Sequence, residues 1–391
     1  MSRTVPLGDL VISAPVERAG NRTFAVLSMT RAGGLVPQES VFKKVIASGD
    51  LSKYKIVRPN QLVVGIHIDE GALGFSGPDQ IGIVSPAYTL WDLNKAEEVH
   101  IPYLHRFIRS SQAIKYFISK YRETAERRGK LTREQFLALN IPLPPLAEQK
   151  RIAGILDEAD ALRTKRRESI EQLDTLLQST FLDMFGDIYQ SATIGEMLSD
   201  GTLSSHKDGN HGSLYPRAHE FGEQGVPFLT AKCVSEHGDL LPEEVQFLHE
   251  EKAHALKIGW IKPGDVLLAH NASVGKTLLY RGQYNEALIG TSLTAFRPNR
   301  EKLDPTYLLG ALQEEQFQNQ LFSMMSQTTR NQVPITAQRR LSIPLPPIEL
   351  QRRFSFIVES IEDQRSKLRT HLAELDTLFS SLQHRAFNGE L

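Results

Sequence analysis

Ile141-Pro142-Leu143-Pro144-Pro145-Leu146-Ala147-Glu148-Gln149 returns 202 residues later as Ile343-Pro344-Leu345-Pro346-Pro347-Ile348-Glu349-Leu350-Gln351. Each copy leads into a long charged, amphipathic run, the first to Gly186 and the second to the C-terminus. The same offset maps Arg151 on Arg353, Arg163 on Arg365, Lys165 on Lys367, Leu173 on Leu375, Asp174 on Asp376, Leu176 on Leu378 and Phe185 on Phe387. Repeats of 20–50 residues mark solenoids; an interval this long marks a duplicated domain, so the chain reads as an internal pseudo-dimer.

A residue before proline is held extended, and proline is tolerated in a first helical turn. Each motif is therefore expected to be a stiff, extended entry into a helix. In the first run Ile152, Ile155, Leu156, Ala159, Leu162, Ile170, Leu173, Leu176, Leu177, Phe181 and Met184 recur at steps of three and four. In the second, Phe354, Ile357, Val358, Ile361, Leu368, Leu372, Leu375, Leu378, Phe379, Leu382 and Ala386 do the same. These heptad-like stripes predict two helices of about 33 residues, about 50 Å each. A long helix with one apolar stripe needs a partner, and the other copy is the obvious one. Arg166 stands where the second stripe has Leu368, and Gln364 where the first has Leu162. Such polar positions set register or mark where a partner enters, or lie on a locally exposed turn.

The segments ahead of the motifs read as strands and turns followed by helix. Phe24–Met29 and Gln61–Ile66 are short apolar runs punctuated by Pro and Gly, and Tyr103 to Ile118 carries one helical periodicity. Trp260–Leu268 echoes Val57–Val64, Thr291–Phe296 echoes Pro86–Trp91, and Asp304–Leu309 echoes Ile101–Leu104. The segment before Ile258 matches residues 10–55 poorly. The frames are alike and the contents differ, as suits two modules that read two different targets.

Composition narrows the class. The formal charge is −1, there is one cysteine (Cys233), and no stretch of about 18 apolar residues occurs. The expectation is a cytoplasmic protein without membrane span, signal peptide, intrachain disulfide or cysteine-based zinc site. Nine basic side chains crowd between Arg106 and Arg133 (Arg106, Arg109, Lys115, Lys120, Arg122, Arg127, Arg128, Lys130, Arg133), against Glu123 and Glu126. They form either a phosphate-binding face or a solvated helix face.

No constellation assembles an active site. Asp157-Glu158-Ala159-Asp160 spells a helicase box but lacks the upstream phosphate loop that such a box needs, and it falls in mid-helix. The loop His270-Asn271-Ala272-Ser273-Val274-Gly275-Lys276-Thr277 follows an apolar run and reads either as a phosphate-contacting loop with Lys276 or as an ordinary hairpin turn. Asp239 with Glu250-Glu251-Lys252 is too loosely spaced for a nuclease metal site. His206, His211 and His219 lack a ligand pattern and read as surface residues.

The duplicated proline motif, Ile155-Leu156-Asp157, the central Phe181-Leu182-Asp183-Met184-Phe185-Gly186-Asp187, the terminal Ala386-Phe387-Asn388-Gly389-Glu390-Leu391 and the loop ending Gly275-Lys276-Thr277 occur together and in order. In this the chain resembles the specificity subunits of type I restriction-modification systems, over essentially its whole length. The first module departs from the pattern, with Asp69-Glu70-Gly71-Ala72 in place of the Gly-Lys-Thr loop. The resemblance implies an α+β fold: two pseudo-symmetric globular target recognition domains joined by two long antiparallel, coiled-coil-like helices. The expected bounds are 1–140 and 188–342 for the recognition domains, and 141–187 and 343–391 for the motifs with their spacer helices. It implies that each domain reads one half of a split double-stranded DNA sequence while the helices set the spacing and dock two methyltransferase subunits. The partner methylates adenine N6 with S-adenosylmethionine, and ATP- and Mg-dependent restriction/translocase subunits join a restriction complex. This chain itself then carries no cofactor, metal or catalysis. The expected DNA-binding residues are Arg122, Arg127, Arg128, Lys130, Asn271, Lys276, Gln327, Arg330, Asn331 and Gln332, since Asn and Gln suit adenine and Arg suits guanine or phosphate. The expected docking and spacer residues are Pro144, Pro145, Gln149, Arg151, Arg166, Pro346, Pro347, Gln351, Arg353 and Gln364. The competing reading is a non-enzymatic scaffold whose paired modules bind protein.

Overall fold

The computed structural model describes residues 3–30, 34–41, 50–123, 131–186, 189–212, 215–325 and 331–391, with backbone alone at 122–123. It divides into two compact units: Met1–Arg167 with Thr370–Leu391, and Glu168–Arg369. Each unit therefore holds one globular module, the beginning of one long helix and the end of the other.

The two modules share a frame. In the first, an antiparallel sheet runs in the order Val11–Ser13, Thr89–Leu93, Leu62–Val64, Leu73–Phe75. In the second the order is Leu203–Asp208, Leu293–Pro298, Val266–Ala269, Thr277–Leu279, again antiparallel. The repeat extends to the polar chemistry at one position. Gln61 accepts from the Arg58 N–H at 2.8 Å and donates to Asp92 at 2.7 Å; Asp265 accepts from the Lys262 N–H at 2.8 Å and from Arg297 at 2.7 Å. The decoration differs. The first module adds the hairpin Leu27–Thr30/Gly34–Pro37 and the pair Lys55–Val57/Gly82–Val84. The second adds a four-stranded sheet in which Val226–Leu229 and Leu288–Ile289 pair in parallel, as the single bridge Val26–Ile83 does in the first, while its antiparallel bridge Trp260–Leu288 echoes Ile56–Ile83.

Tyr103 to Ile118 is not one helix but two, Ile101–Ile108 and Ser111–Glu123. The buried Ser110 separates them, its hydroxyl accepting from the Ala113 N–H at 3.3 Å as a helix cap does. The second module repeats the break with Pro305–Gln313 and Glu315–Met325. Gly310 lets the first of these lie close on the long helices: a β-carbon there would stand 2.9 Å from the Phe181 ring.

Each module is closed by the proline motif. Asn140–Leu143 pairs antiparallel with Arg3–Pro6, and Ser342–Pro344 with Ser191–Thr193. Each helix starts directly after its own Pro-Pro pair, as Leu146–Phe185 and Ile348–Asn388, 40 and 41 residues against the expected 33 or so. The Pro145 carbonyl accepts the Gln149 N–H at 3.0 Å and the Pro347 carbonyl the Gln351 N–H at 3.2 Å, so the helix begins inside the motif. The apolar stripes are interrupted. Ile152, Leu156, Ala159 and Phe181 of the first helix and Phe354, Val358, Ile361 and Ala386 of the second are buried, but Leu162, Leu176 and Leu378 are about half exposed. Between the buried ends, ion pairs hold the helices. In the first unit Arg163 donates to Asp376 at 2.6 Å and its guanidinium lies 4.3 Å from the Phe379 ring. In the second unit Arg365 donates to Asp174 at 2.8 Å. These are the same two repeat positions with the partners exchanged, and both place the helix halves antiparallel within their unit.

Aromatic packing binds the far end of each helix to a module. In the first unit Phe387 lies edge-on to Tyr103 and Phe107, at 5.7 and 5.0 Å between centroids. In the second, Phe185 meets Tyr307 at 4.8 Å and Phe354 at 5.5 Å. Phe387→Ala is expected to destabilise the first unit by about 3–5 kcal/mol, as large aromatic deletions in cores do. Hydrogen exchange resolved by segment checks this: protection should fall across 1–167 and persist across 168–369, and Phe185→Ala should reverse the pattern.

Candidate nucleic-acid interface

The residues expected on the helices resolve into two kinds. Gln149 and Gln351 are not open to a docking partner. They are 0% and 1% exposed, and their amides are fully engaged inside the unit. The Gln149 oxygen accepts from the His100 N–H at 2.8 Å, and its nitrogen donates to the carbonyls of Glu98 and Pro144, both at 2.9 Å. Gln351 repeats this with the Asp304 N–H at 2.9 Å and the carbonyls of Pro346 at 2.8 Å and Lys302 at 3.4 Å. An amide can both accept from and donate to one stretch of backbone while donating to a second. It therefore fastens the first turn of the long helix to the chain entering Ile101–Ile108 in one module and Pro305–Gln313 in the other. Tyr103 and Tyr307 complete the joint, donating to the carbonyls of Pro142 at 2.6 Å and Pro344 at 2.8 Å, and burial pushes both hydroxyls well up. Pro346 is buried as well, Pro144 half-buried, and Pro145 and Pro347 exposed. Arg151 is tied to Glu148 at 2.6 Å and to the Leu391 carbonyl at 2.8 Å. Arg166 is half-buried, while Arg353 and Gln364 are exposed.

The basic run splits. Arg106 faces the first long helix, donating to Asp157 and Asp160 at 2.8 Å. These are the two aspartates of the helicase-like tetrapeptide, and they serve as a cation bridge between module and helix, with Asp160 also accepting from Arg163 at 2.8 Å. Arg109 is half-buried against the Leu73 carbonyl at 3.0 Å, and burial with Arg106 nearby lowers its basicity. Arg133 lies 5.2 Å from the Trp91 ring. Those three are thus fixed by packing. Arg127, Arg128 and Lys130 lie outside the described residues, as do Gln327, Arg330 and the side chain of Arg122.

In the second module the structure brings two of the expected readers together. Val266–Ala269 and Thr277–Leu279 form a hairpin, so the loop carrying Asn271 and Lys276 is its connection. Asn271 forms an isolated antiparallel bridge with Gln332, and the Val333 N–H donates to the His270 carbonyl at 2.9 Å. Asn331 is exposed beside them. Lys276 is not an open phosphate contact: its ammonium meets Glu236 at 2.8 Å and the Val234 carbonyl at 3.2 Å. Gly275, at φ 101°, turns the loop where a β-carbon would stand 2.4 Å from the Gln318 side chain. Asp239 is taken up by Arg369 at 2.9 Å and Lys252 by Glu220 at 3.0 Å, and among the described residues no group of three metal-ligating side chains occurs.

Sequence reasoning missed the polar interior beneath the Asn271–Gln332 bridge. His206 is 5% exposed, not a surface residue. Its Nε2 lies 3.0 Å from the Gln338 oxygen, the Gln338 nitrogen donates to the Thr294 hydroxyl at 3.0 Å, and that hydroxyl lies 2.8 Å from His270 Nδ1. All four side chains are buried. A polar histidine directly after the apolar Val266–Ala269 was the available signal, but nothing local paired it with residues 24 and 68 positions away.

Residues 93–172 match the family model described as a type I restriction modification DNA specificity domain. The chain is 25% identical over 268 residues to the type I restriction enzyme MjaVIII specificity subunit of Methanocaldococcus jannaschii, covering 66% of this chain and 63% of that protein. It is 22% identical over 401 residues to a second protein of that archaeon, provisionally assigned as the type I restriction enzyme MjaX specificity subunit, covering 97% of this chain and 88% of that one. The fold is similar to that of a chain from a structure of type I restriction-modification complex assembly, with TM-score 0.59, 19% identity and coverage of 100% and 98%. It is also similar to the type I restriction-modification S subunit from M. genitalium, with TM-score 0.55, 14% identity and coverage of 99% and 96%. No helix among the described residues is long and apolar enough to cross a membrane.

Both units hold a histidine neutral. Burial, with Arg109 and Arg106 adding repulsion, keeps His105 down at about 4, and burial keeps His270 at about 4. Such a group binds fewer protons folded than unfolded. Its contribution is complete above about pH 6.5 and lost as pH falls towards 4. The urea midpoint is expected to drop over that window, and His105→Gln is expected to flatten the drop in the first unit, as read by fluorescence titration from pH 7 to 4.

Proposed function

We propose that this chain, a member of the family of type I restriction-modification specificity subunits, is the non-catalytic DNA reader of such a system. Each module reads one half of a split double-stranded DNA sequence. Phosphate contacts from basic side chains position the protein, and Asn, Gln and Arg side chains at base edges specify the sequence. The observation that carries this reading is a duplicated frame with unlike contents. The same sheet order, glutamine joint and helix ion pair occur in both units. Part of what is added to the frame does not repeat: the hairpin Leu27–Thr30/Gly34–Pro37 belongs to the first module, and the strands Phe221–Gly222 and Gln246–Leu248 beside Val226–Leu229 to the second. A pseudo-twofold reader with two different faces suits a target whose halves differ, because half-site geometry follows protein geometry.

The repeated long helices set the spacing between half-sites and offer two related faces for two methyltransferase subunits. Exposed Arg353 and Gln364 belong to those faces, and half-buried Arg166 lies at their margin. Adenine N6 methylation from S-adenosylmethionine is the partner's chemistry, and restriction/translocase subunits with ATP and Mg join the same core in a restriction complex. This chain would hold no cofactor and work in the cytoplasm.

Co-expression with its methyltransferase, followed by genome-wide sequencing of modified bases, tests the reading. Methylation is expected at one two-part motif. Exchanging residues 1–140 for those of another specificity subunit should change one half of the motif and leave the other. Methylation that is absent or without a motif, beside an active methyltransferase, overturns the reading and favours a protein-binding scaffold.

A further inference from the structure

The buried polar chain in the second module has a direction. The Gln338 nitrogen can only donate, so the Thr294 hydroxyl accepts from it and keeps its own proton available to His270 Nδ1 in the tautomer that leaves that nitrogen unprotonated. The Gln338 oxygen can only accept, so His206 donates from Nε2. That leaves His206 Nδ1 unprotonated and buried without a hydrogen-bond partner. Both imidazoles are held neutral by burial, with the hydrogen bond to Gln338 opposing this at His206.

The frame does not require this chain. Phe136 of the first module stands 202 residues before Gln338, each five positions ahead of its proline motif. Trp91 pairs across the sheet with Leu62 as Phe296 does with Val266. In the first module these positions hold a ring contact, Trp91 with Phe136 at 5.3 Å between centroids. In the second, Phe296 contacts His206 at 4.7 Å, and the place of Phe136 is taken by an amide. Of the two rings, Trp91 is kept as Phe296 and only Phe136 is replaced, by the Gln338 amide; the register puts Thr294 where the first module has Thr89, whose hydroxyl accepts from the Trp91 indole at 3.1 Å, and His206 where it has Ser13. Buried polar groups cost desolvation, which their hydrogen bonds offset only when geometry is held.

What the chain is fastened to explains the exchange. Gln338 also donates to the Val333 carbonyl at 3.0 Å, and His270 accepts the Val333 N–H on its own carbonyl while its N–H donates to Ser292 at 3.0 Å. Val333 follows Gln332 and His270 precedes Asn271, so the polar chain grips both strands of the Asn271–Gln332 bridge from beneath. We propose that His206, Gln338, Thr294 and His270 are positioning residues for specificity. They set the separation of the two loops whose Asn271 and Gln332 amides meet adenine edges in the half-site of the second module. This rests on the DNA-reading function above. The side chains of the four do not themselves touch DNA; they hold the backbone that presents those which do, and a bidentate amide–adenine contact is lost with small displacements.

The test uses the full chain co-expressed with its methyltransferase and modified-base sequencing. The half-site of the second module is the half unchanged by exchange of residues 1–140. Gln338→Leu and Thr294→Val should raise methylation at single-base variants of that half about tenfold relative to the correct site, the other half keeping its discrimination. Thr294→Ser, which keeps the hydroxyl, should restore discrimination. A general structural role would instead lower total methylation or relax both halves together, and either result overturns the proposal. So does unchanged discrimination in both variants. Should Gln338→Leu fail to accumulate, Thr294→Val decides alone, and its failure to accumulate counts against a positioning role. Loss of motif-directed methylation in the unaltered chain would overturn the DNA-reading function first, and is thereby distinguished from failure of this inference.

Discussion

The buried amide of Gln149, and of Gln351 in the second copy, is the interaction on which the rest depends. A helix beginning after two prolines has unsatisfied first-turn groups and no inherent direction relative to the module it leaves. One glutamine supplies both connections, bonding back to the proline carbonyl and across to the backbone entering Ile101–Ile108 or, in the second copy, Pro305–Gln313. Because the bonds run to backbone, they do not constrain which side chains the module presents. That separation lets the module surface change while the direction of the helix stays fixed.

The ion pairs carry the same logic further along. Arg163 with Asp376 and Arg365 with Asp174 are one interaction used twice with roles exchanged. Each unit also adds a bond from its module to the helices: Arg106 to Asp157 and Asp160 in the first, Asp239 to Arg365 and Arg369 in the second. The cation comes from the module in one case and from the helix in the other. The partly exposed pairs among these contribute little to stability individually, whereas the buried Arg365 would be costly to leave unpaired. Their value lies in fixing register where the apolar stripe gives out at Leu162, Leu176 and Leu378.

The two interiors show how one frame accommodates different readers. Gln61 with Asp92 and Asp265 with Arg297 keep a polar pair at one position under a change of residue. Phe136 against Gln338 shows the opposite, a ring packed on Trp91 replaced by an amide that joins His206 and Thr294. The first conserves geometry within the sheet. The second sits directly below the loops that differ.

The duplication, the proline-led helix entries and the echo of Val57–Val64 in Trp260–Leu268 were legible in the residues alone, because each is a local pattern repeated at a constant offset. So was the family resemblance, which rests on such patterns in order. The break at Ser110 was less visible, since apolar periodicity runs through it and only the capping hydroxyl marks it. The fate of the polar residues was not legible at all. Gln149 and Gln351 looked like surface, Arg106 like part of a basic face, and His206 like a solvated histidine. Whether a polar side chain is buried, paired or open depends on which distant backbone lies within 3 Å of it, and that is set by tertiary packing. The sequence by itself determined that there are two copies of one frame and where each helix begins; only the fold decided which polar groups join the frame together and which stay open on its surface.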